Sequence, residues 1–255
     1  MVANKNRWTL GLGGSVLAAA VSWTASADTT VIPNLIFTLG AGSNTYTYQA
    51  ASIGNAWGNG NSTFGYAGMN TPAMDSSNGF SFAWNLLVNP DPFIIGNIVV
   101  TNTSNATQEF MLLVTLPINE AIAQTYIGGS ITGTVTDLNG DGATLAAVNG
   151  GSIYTALTDV TGITGNIAGT LLTGTSVSAG SFLSANVGPA SFGDPIPNQL
   201  YGAVTTNIAV MLRFTLTAGD SASFTSIFVV EPVPAPGAVA LLGLAGLAAR
   251  SRRRR

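Results

Sequence analysis

Hydrophobic and polar residues alternate with a period of two over much of the chain. Between residues 80 and 86, Phe80, Phe82, Trp84 and Leu86 share one face, and Ser81, Ala83 and Asn85 the other. Between 208 and 216, Ile208, Val210, Leu212, Phe214 and Leu216 oppose Ala209, Met211, Arg213 and Thr215. Successive side chains of a strand point to opposite faces, so this pattern predicts strands buried on one side. Further strands are expected over 31–39, 94–102, 108–116, 130–137, 143–147, 152–158, 170–177 and 221–230. Asn59-Gly60, Asn78-Gly79, Asn89-Pro90-Asp91-Pro92, Asn139-Gly140, Asn149-Gly150 and Gly193-Asp194-Pro195 separate them as turns. Residues 118–126 read as one short turn of helix, and no repeat of solenoid or propeller period is present. Many short strands at this spacing predict an all-β fold, an antiparallel β-sandwich of jelly-roll-like or Ig-like type.

The two ends depart from this pattern. Lys5 and Arg7 precede a short apolar run over 10–21 and then Ala25-Ser26-Ala27. A positive stretch, an apolar stretch and a small-x-small site predict a signal helix over 1–27, cut by signal peptidase at Ala25 and Ala27. The mature chain then starts near Asp28, and residues 28–231 form the β-sandwich domain. Residues 232–255 hold Val233-Pro234-Ala235-Pro236, a helix-prone apolar run over 237–249, and a basic cluster of Arg250, Arg252, Arg253, Arg254 and Arg255. The apolar run is thirteen residues long. As a helix it spans about 20 Å at ~1.5 Å per residue, short of a ~30 Å hydrocarbon core. It reads as a transient membrane stop with the arginines on the cytoplasmic side.

This three-part tail resembles the PEP-CTERM sorting signal of Gram-negative bacteria, in which a Pro-Glu-Pro motif, an apolar helix and a basic cluster are recognised by an exosortase. Pro234 and Pro236 match the two prolines, and Ala235 stands where the family usually has Glu. A strand-rich pattern found in such proteins is similar to Asp91-Pro92-Phe93, Val100-Thr101-Asn102, Thr107-Gln108-Glu109-Phe110, Pro117-Ile118, the stretch 137–142 and the stretch 224–231. The resemblance implies an exported substrate of an exosortase-type enzyme, located at the cell surface or in the extracellular matrix and associated with biofilm and extracellular polysaccharide. It assigns no activity to the domain.

Composition narrows the chemistry. The chain has no Cys and no His. Disulfides, thiolate metal sites, histidine-dependent nucleophiles and the usual zinc sites are therefore excluded. All 11 acids lie between Asp28 and Glu231, where Arg213 is the single base. One base cannot neutralise a phosphate backbone, which excludes nucleic acid as a partner. An acidic surface favours solubility and divalent cations.

The best candidate for chemistry is Asp137-Leu138-Asn139-Gly140-Asp141-Gly142. Oxygens of Asp137, Asn139 and Asp141 at positions one, three and five, with Gly at six, match the front half of a calcium loop. Position twelve is Val148 rather than a bidentate Glu, so further ligands must come from elsewhere, such as Asp159 or backbone carbonyls. The alternative is a hairpin turn that uses its glycines for positive φ.

Other candidates carry less. Glycoside hydrolysis needs only two carboxylates, yet nothing in the spacing of Asp75, Asp91, Glu109, Glu120, Asp159, Asp194 and Asp220 selects a pair. No catalytic residue is assigned and no enzyme is expected. Trp57 lies in a glycine-rich stretch read as a loop and is the candidate ligand contact, since an exposed indole can stack on a sugar ring. The sequons at Asn61, Asn102 and Asn105 read as coincidence in a chain rich in Asn and Thr. The expected function is a structural or interaction protein of the matrix. The alternatives are a carbohydrate-binding module, with calcium as candidate cofactor, and a carboxylate-dependent hydrolase.

Overall fold

Branched and aromatic residues alternating with small polar ones suit a pleated surface buried on one side, and the chain uses them in two antiparallel sheets. The computed structural model describes residues 32–42, 44–58, 62–69 and 79–234. The signal segment with Ala25 and Ala27, Asp75, and the tail from Ala235 on, with Pro236 and the five arginines, lie outside the described residues. Both flanking helices expected from the sequence fall there too. Among the described residues no helix is long and apolar enough to cross a membrane.

Sheet A runs in the order β11 (Thr164–Thr173), β10 (Ser152–Thr161), β15 (Asn207–Leu216), β7 (Gln108–Pro117), β1 (Ile36–Ala41) and β2 (Asn44–Gln49). β9 (Ala143–Ala147) also pairs with β15, and β12 (Ser176–Ala179) pairs with β9. Sheet B runs β13 (Ser184–Phe192), β8 (Thr125–Thr136), β16 (Ser221–Pro232), β6 (Phe93–Asn102), β5 (Phe80–Asn89), β4 (Phe64–Met69) and β3 (Asn55–Gly58), with β14 (Gln199–Tyr201) beside β8. The predicted inner faces are buried: Phe80, Phe82, Trp84 and Leu86 in sheet B, and Ile208, Val210, Leu212, Phe214 and Leu216 in sheet A. Rings interlock across the sandwich. Phe37 of β1 meets Phe82 edge-on at 5.6 Å, Phe80 meets Phe110 of β7 at 5.9 Å, and Phe214 meets Phe224 of β16 at 5.1 Å. The Tyr154 hydroxyl donates to the Ile227 carbonyl at 2.9 Å, a polar link through the same core.

Several local expectations change. The first strand begins at Ile36, not 31, because Pro33 has no N–H to give a ladder and Leu35 N–H turns back to its carbonyl. Residues 118–126 form no helix, and Thr125 and Tyr126 open β8. The backbone before them goes instead to neighbouring loops, with Ile118 N–H on Thr206, Asn119 N–H on Pro90 and Ile122 bridged to Val204. The strand expected over 170–177 is two, parted at Gly174 with φ +63°. β2, β3, β4, β13 and β14 are not among the expected strands; glycine breaks the pattern of β3 and β4, and proline that of β13. In β13 a bulge between Val187 and Ala190 accommodates Pro189 on the edge of the sheet.

The chain passes between the sheets four times at one end: β6 to β7, β8 to β9, β12 to β13, and β15 to β16. Buried Asn102 ties two of these passages together. Its side-chain amide donates to the carbonyls of Ala106, Leu216 and Thr217 at 2.8, 2.9 and 3.0 Å, and its Oδ1 accepts from Ser104 N–H and hydroxyl. Its backbone exchanges hydrogen bonds with Asp220 and Gly219 at 2.9 Å. Asn102→Ala leaves buried carbonyls without donors and is expected to cost about 3 kcal/mol. At 2–4 °C per kcal/mol for a domain of this size, the melting temperature falls by roughly 6–12 °C. Asn105→Ala, at the exposed neighbouring sequon, should leave the melt unchanged.

Candidate functional site

The 137–142 loop joins strands of opposite sheets, so it is not the turn of a hairpin. Asp137 directly follows β8, with only 2% of its surface exposed. Its Oδ1 accepts from the N–H groups of Asn139 and Gly140 at 3.3 and 3.0 Å, and its Oδ2 from Phe182 N–H at 2.6 Å. One carboxylate thus joins the β8–β9 passage to the β12–β13 passage. Gly140 has φ +91°, and a Cβ there would lie 2.4 Å from the Phe182 ring, so another residue would strain the backbone and displace that ring. Asp220, fully buried, accepts from Leu138 N–H at 3.4 Å and from the Thr217 hydroxyl at 2.5 Å.

Carboxylate oxygens of Asp137, Asp141 and Asp220 lie within 4.8 Å of one another. Two oxygens on one calcium ion, each at ~2.3–2.6 Å, are at most about 5 Å apart, so the spacing suits a hard cation. Asn139 does not join them. Its Oδ1 accepts from Asp141 N–H at 3.2 Å and its amide donates to the Ala218 carbonyl at 3.1 Å. Asp159, expected as a supplementary ligand, is engaged elsewhere: its Oδ1 accepts from the N–H and hydroxyl groups of Thr205 and Thr206. Asp220 is the member that sequence reasoning missed. Its only local signal is a hydroxyl three residues earlier, Thr217, and that spacing speaks of a turn.

No basic side chain among the described residues offsets the charge of the cluster. Arg213, the one base among the described residues, is taken by Glu109 at 2.6 Å. Burial works to raise the Asp137 pKa, but N–H groups of Phe182, Gly140, Gly142 and Asn139 outweigh it and hold the carboxyl below its ordinary value. Asp220 is pushed up. Burial contributes most, Asp137 beside it adds repulsion, and the Thr217 hydroxyl and Leu138 N–H oppose. Asp159 is held low against burial by its four donors.

Trp57 sits on strand β3 rather than in a loop, with 42% of its surface exposed. Asp91 and Glu120 line a separate, open depression of about 500 Å³, near Asn119 and Pro232. Three exposed apolar side chains, Leu138, Phe182 and Leu183, lie on the loops around the acidic cluster. Neither a protein-family model nor a curated protein matches the chain.

The pKa directions fix the pH response. Asp137 and Asp159 stabilise the fold above the unfolded carboxylate value of about 3.9, and that contribution is lost as the pH falls through their lowered folded values. Asp220 works the other way: its contribution is complete below about 3.9 and is lost as the pH rises through its raised folded value. In chelator-treated buffer, the melting temperature should therefore rise as the pH falls through the raised Asp220 value, then fall below about pH 4 as Asp137 and Asp159 take up protons. Asp220→Asn removes the rise and keeps the fall. A wild-type melt that drops steadily from neutral pH would contradict the assignment.

Proposed function

We propose that the chain is an exported, non-catalytic structural or interaction protein of the cell surface or extracellular matrix, delivered by signal peptidase and an exosortase-type enzyme. The observation that carries this reading is the make-up of the solvent faces. Cross-strand partners there are joined by hydroxyl and amide groups in place of ion pairs. Thr136 pairs with Ser184 at 2.8 Å, Thr144 with Ser178 at 2.9 Å, Ser152 with Thr173 at 2.7 Å, and Thr225 with Asn97 at 2.6 Å. Such a surface offers hydrogen bonds without charge, which suits a hydrated, polysaccharide-rich setting and gives no purchase to nucleic acid. Passage through strands that change sheet repeatedly supports a jelly-roll-like or Ig-like sandwich, with the apolar helices flanking it only in the precursor. The membrane is touched transiently, through the C-terminal helix.

The acidic cluster supports a second reading for the same protein. Two buried carboxylates pressed together without a basic partner need a proton or a cation, and the oxygen spacing at Asp137, Asp141 and Asp220 admits calcium. In this reading calcium fastens the stitched end of the sandwich and makes a calcium-assisted binding module.

Two experiments separate these statements. Expressed in an exosortase-bearing host, the wild-type chain should reach the matrix fraction with the mass of a product lacking the Arg250–Arg255 stretch. A chain with Ser in place of Arg252, Arg253, Arg254 and Arg255 should keep its tail and stay with the membrane. Recovery of both chains at full mass in the cytoplasm would refute export and sorting. For calcium, saturation at about 100 times Kd should add ~2.7 kcal/mol to stability. Asp141→Ala removes an exposed ligand that holds no backbone, so it should fold and lose the effect. Calorimetry with no heat and no melting shift would leave the cluster as a structural stitch alone.

A further inference from the structure

The outer face of sheet B carries two parallel rows that run across the strands. Pairing places Trp57 opposite Gly65, Gly65 opposite Leu87, Leu87 opposite Ile95, Ile95 opposite Ile227, Ile227 opposite Ser130, and Ser130 opposite Ser191. The neighbouring row holds Asn85, Asn97, Thr225 and Thr132, each opposite the next. These positions alternate with the buried inner faces of β5, β6 and β16, so both rows face out. At ~4.8 Å per strand, the six steps from β3 to β13 cover about 29 Å, and the rows lie ~6.7 Å apart. Over its β16–β8–β13 end the face deepens into a groove of about 530 Å³, with Ile95, Ile227, Thr225 and Thr132 in its lining and Pro189 and Ala190 on the bulged edge strand.

Trp57 is fixed at the far end. A Cβ on Gly65 would lie 2.2 Å from Trp57 Cε2 and 2.3 Å from Cζ2, so the indole packs directly against the glycine while 42% of the residue stays exposed. The glycine makes this close approach possible, and the contact restricts the ring before any ligand arrives.

The geometry points to this face as a binding site for an extended, neutral polysaccharide, lying across the strands with its apolar ring faces on Trp57, Leu87, Ile95 and Ile227 and its hydroxyls toward Asn85, Asn97, Thr225 and Thr132. The inference rests on the matrix-protein reading above and names the partner class. Neither row contains a charged residue, and the charge beside them is the Asp194 carboxylate held by the Ser191 hydroxyl, so an anionic ligand gains nothing there while a neutral one loses nothing. A strip of apolar side chains beside a strip of amides and hydroxyls matches a sugar ring, which is apolar on its faces and polar at its rim. A narrow groove shouldered by Pro189 takes a chain more readily than the flat sheet of a second copy, which would need about 10 Å of even separation.

Affinity electrophoresis of the full chain would test this, with hydroxyethylcellulose, dextran and the neutral exopolysaccharide of the producing cells in the gel, and alginate as the anionic control. At least one neutral polymer should retard the wild-type chain and alginate should not. Trp57→Ala should weaken retardation about tenfold, equivalent to ~1.4 kcal/mol, and Trp57→Phe should restore most of it. Asn85→Asp, an exposed change that places charge in the polar row, should weaken binding to the neutral polymer. Retardation by none of the neutral polymers, or loss of none of it in Trp57→Ala, overturns the site. Sedimentation velocity supplies the remaining outcome: a dimer that dissociates in Trp57→Ala, with no retardation, assigns the face to a second copy and overturns the site too. Matrix fractionation of the Trp57→Ala chain keeps the two readings apart. If the variant still reaches the matrix without binding polymer, the site fails and the matrix role stands; if the wild type binds polymer but never leaves the cell, the reverse holds.

Discussion

Four passages between sheets converge on one end of the sandwich, and three buried polar side chains hold them there. Asn102 joins β6–β7 to β15–β16, Asp137 joins β8–β9 to β12–β13, and Asp220 joins β15–β16 back to β8–β9. Asn102 and Asp137 act by supplying several bonds to backbone groups that would otherwise be buried without partners, and Asp220 supplies one, to Leu138 N–H. The aromatic core alone does not specify which strand follows which, because apolar surfaces attract without direction. Directed bonds at the crossings do. A carboxylate such as Asp137, fed by several N–H groups, is well satisfied as an anion; Asp220 beside it is not, and the same feature that fixes the topology creates a local excess of negative charge.

The other described acids, Asp91, Glu120, Asp159, Asp194 and Glu231, are scattered over other loops and strand ends, and the single ion pair among the described residues is that of Arg213 with Glu109. Strand partners are matched by hydroxyls and amides, whose contribution depends little on ionic strength, whereas exposed ion pairs weaken as salt rises. Neutral hydrogen-bonding groups thus cover much of the sheet faces, and most acidic side chains lie at loops and strand ends.

Much of the fold was legible in the sequence because the central strands are periodic. The inner residues of β5 and β15 could be read directly, and so could the sandwich. What could not be read is where one side chain stands in for another's missing bulk. β3 and β4 look like glycine-rich loops, yet Gly65 and Gly68 are strand residues covered by Trp57 and Trp84 respectively. β13 hides behind Pro189, which only an edge bulge tolerates. For the acidic cluster, the local half was visible in the spacing of Asp137 and Asp141. Asp220 lies 83 residues beyond Asp137, and no local pattern announces a meeting created by topology. Asn139 misled for the opposite reason. Its position fits a ligand series, but a short amide next to free backbone groups bonds to them first.

The last strand has one more property. β16 is twelve residues long and lies inside sheet B, with β8 on one side and β6 on the other. Val233 N–H still holds the Gln124 carbonyl just past its end. Any tether attached beyond Pro234 pulls along this strand. Because both neighbours grip it, the load is shared by two ladders in shear, whereas an edge strand would peel away bond by bond. A load entering at that end would meet two hydrogen-bonded ladders at once, with no covalent cross-link to help them.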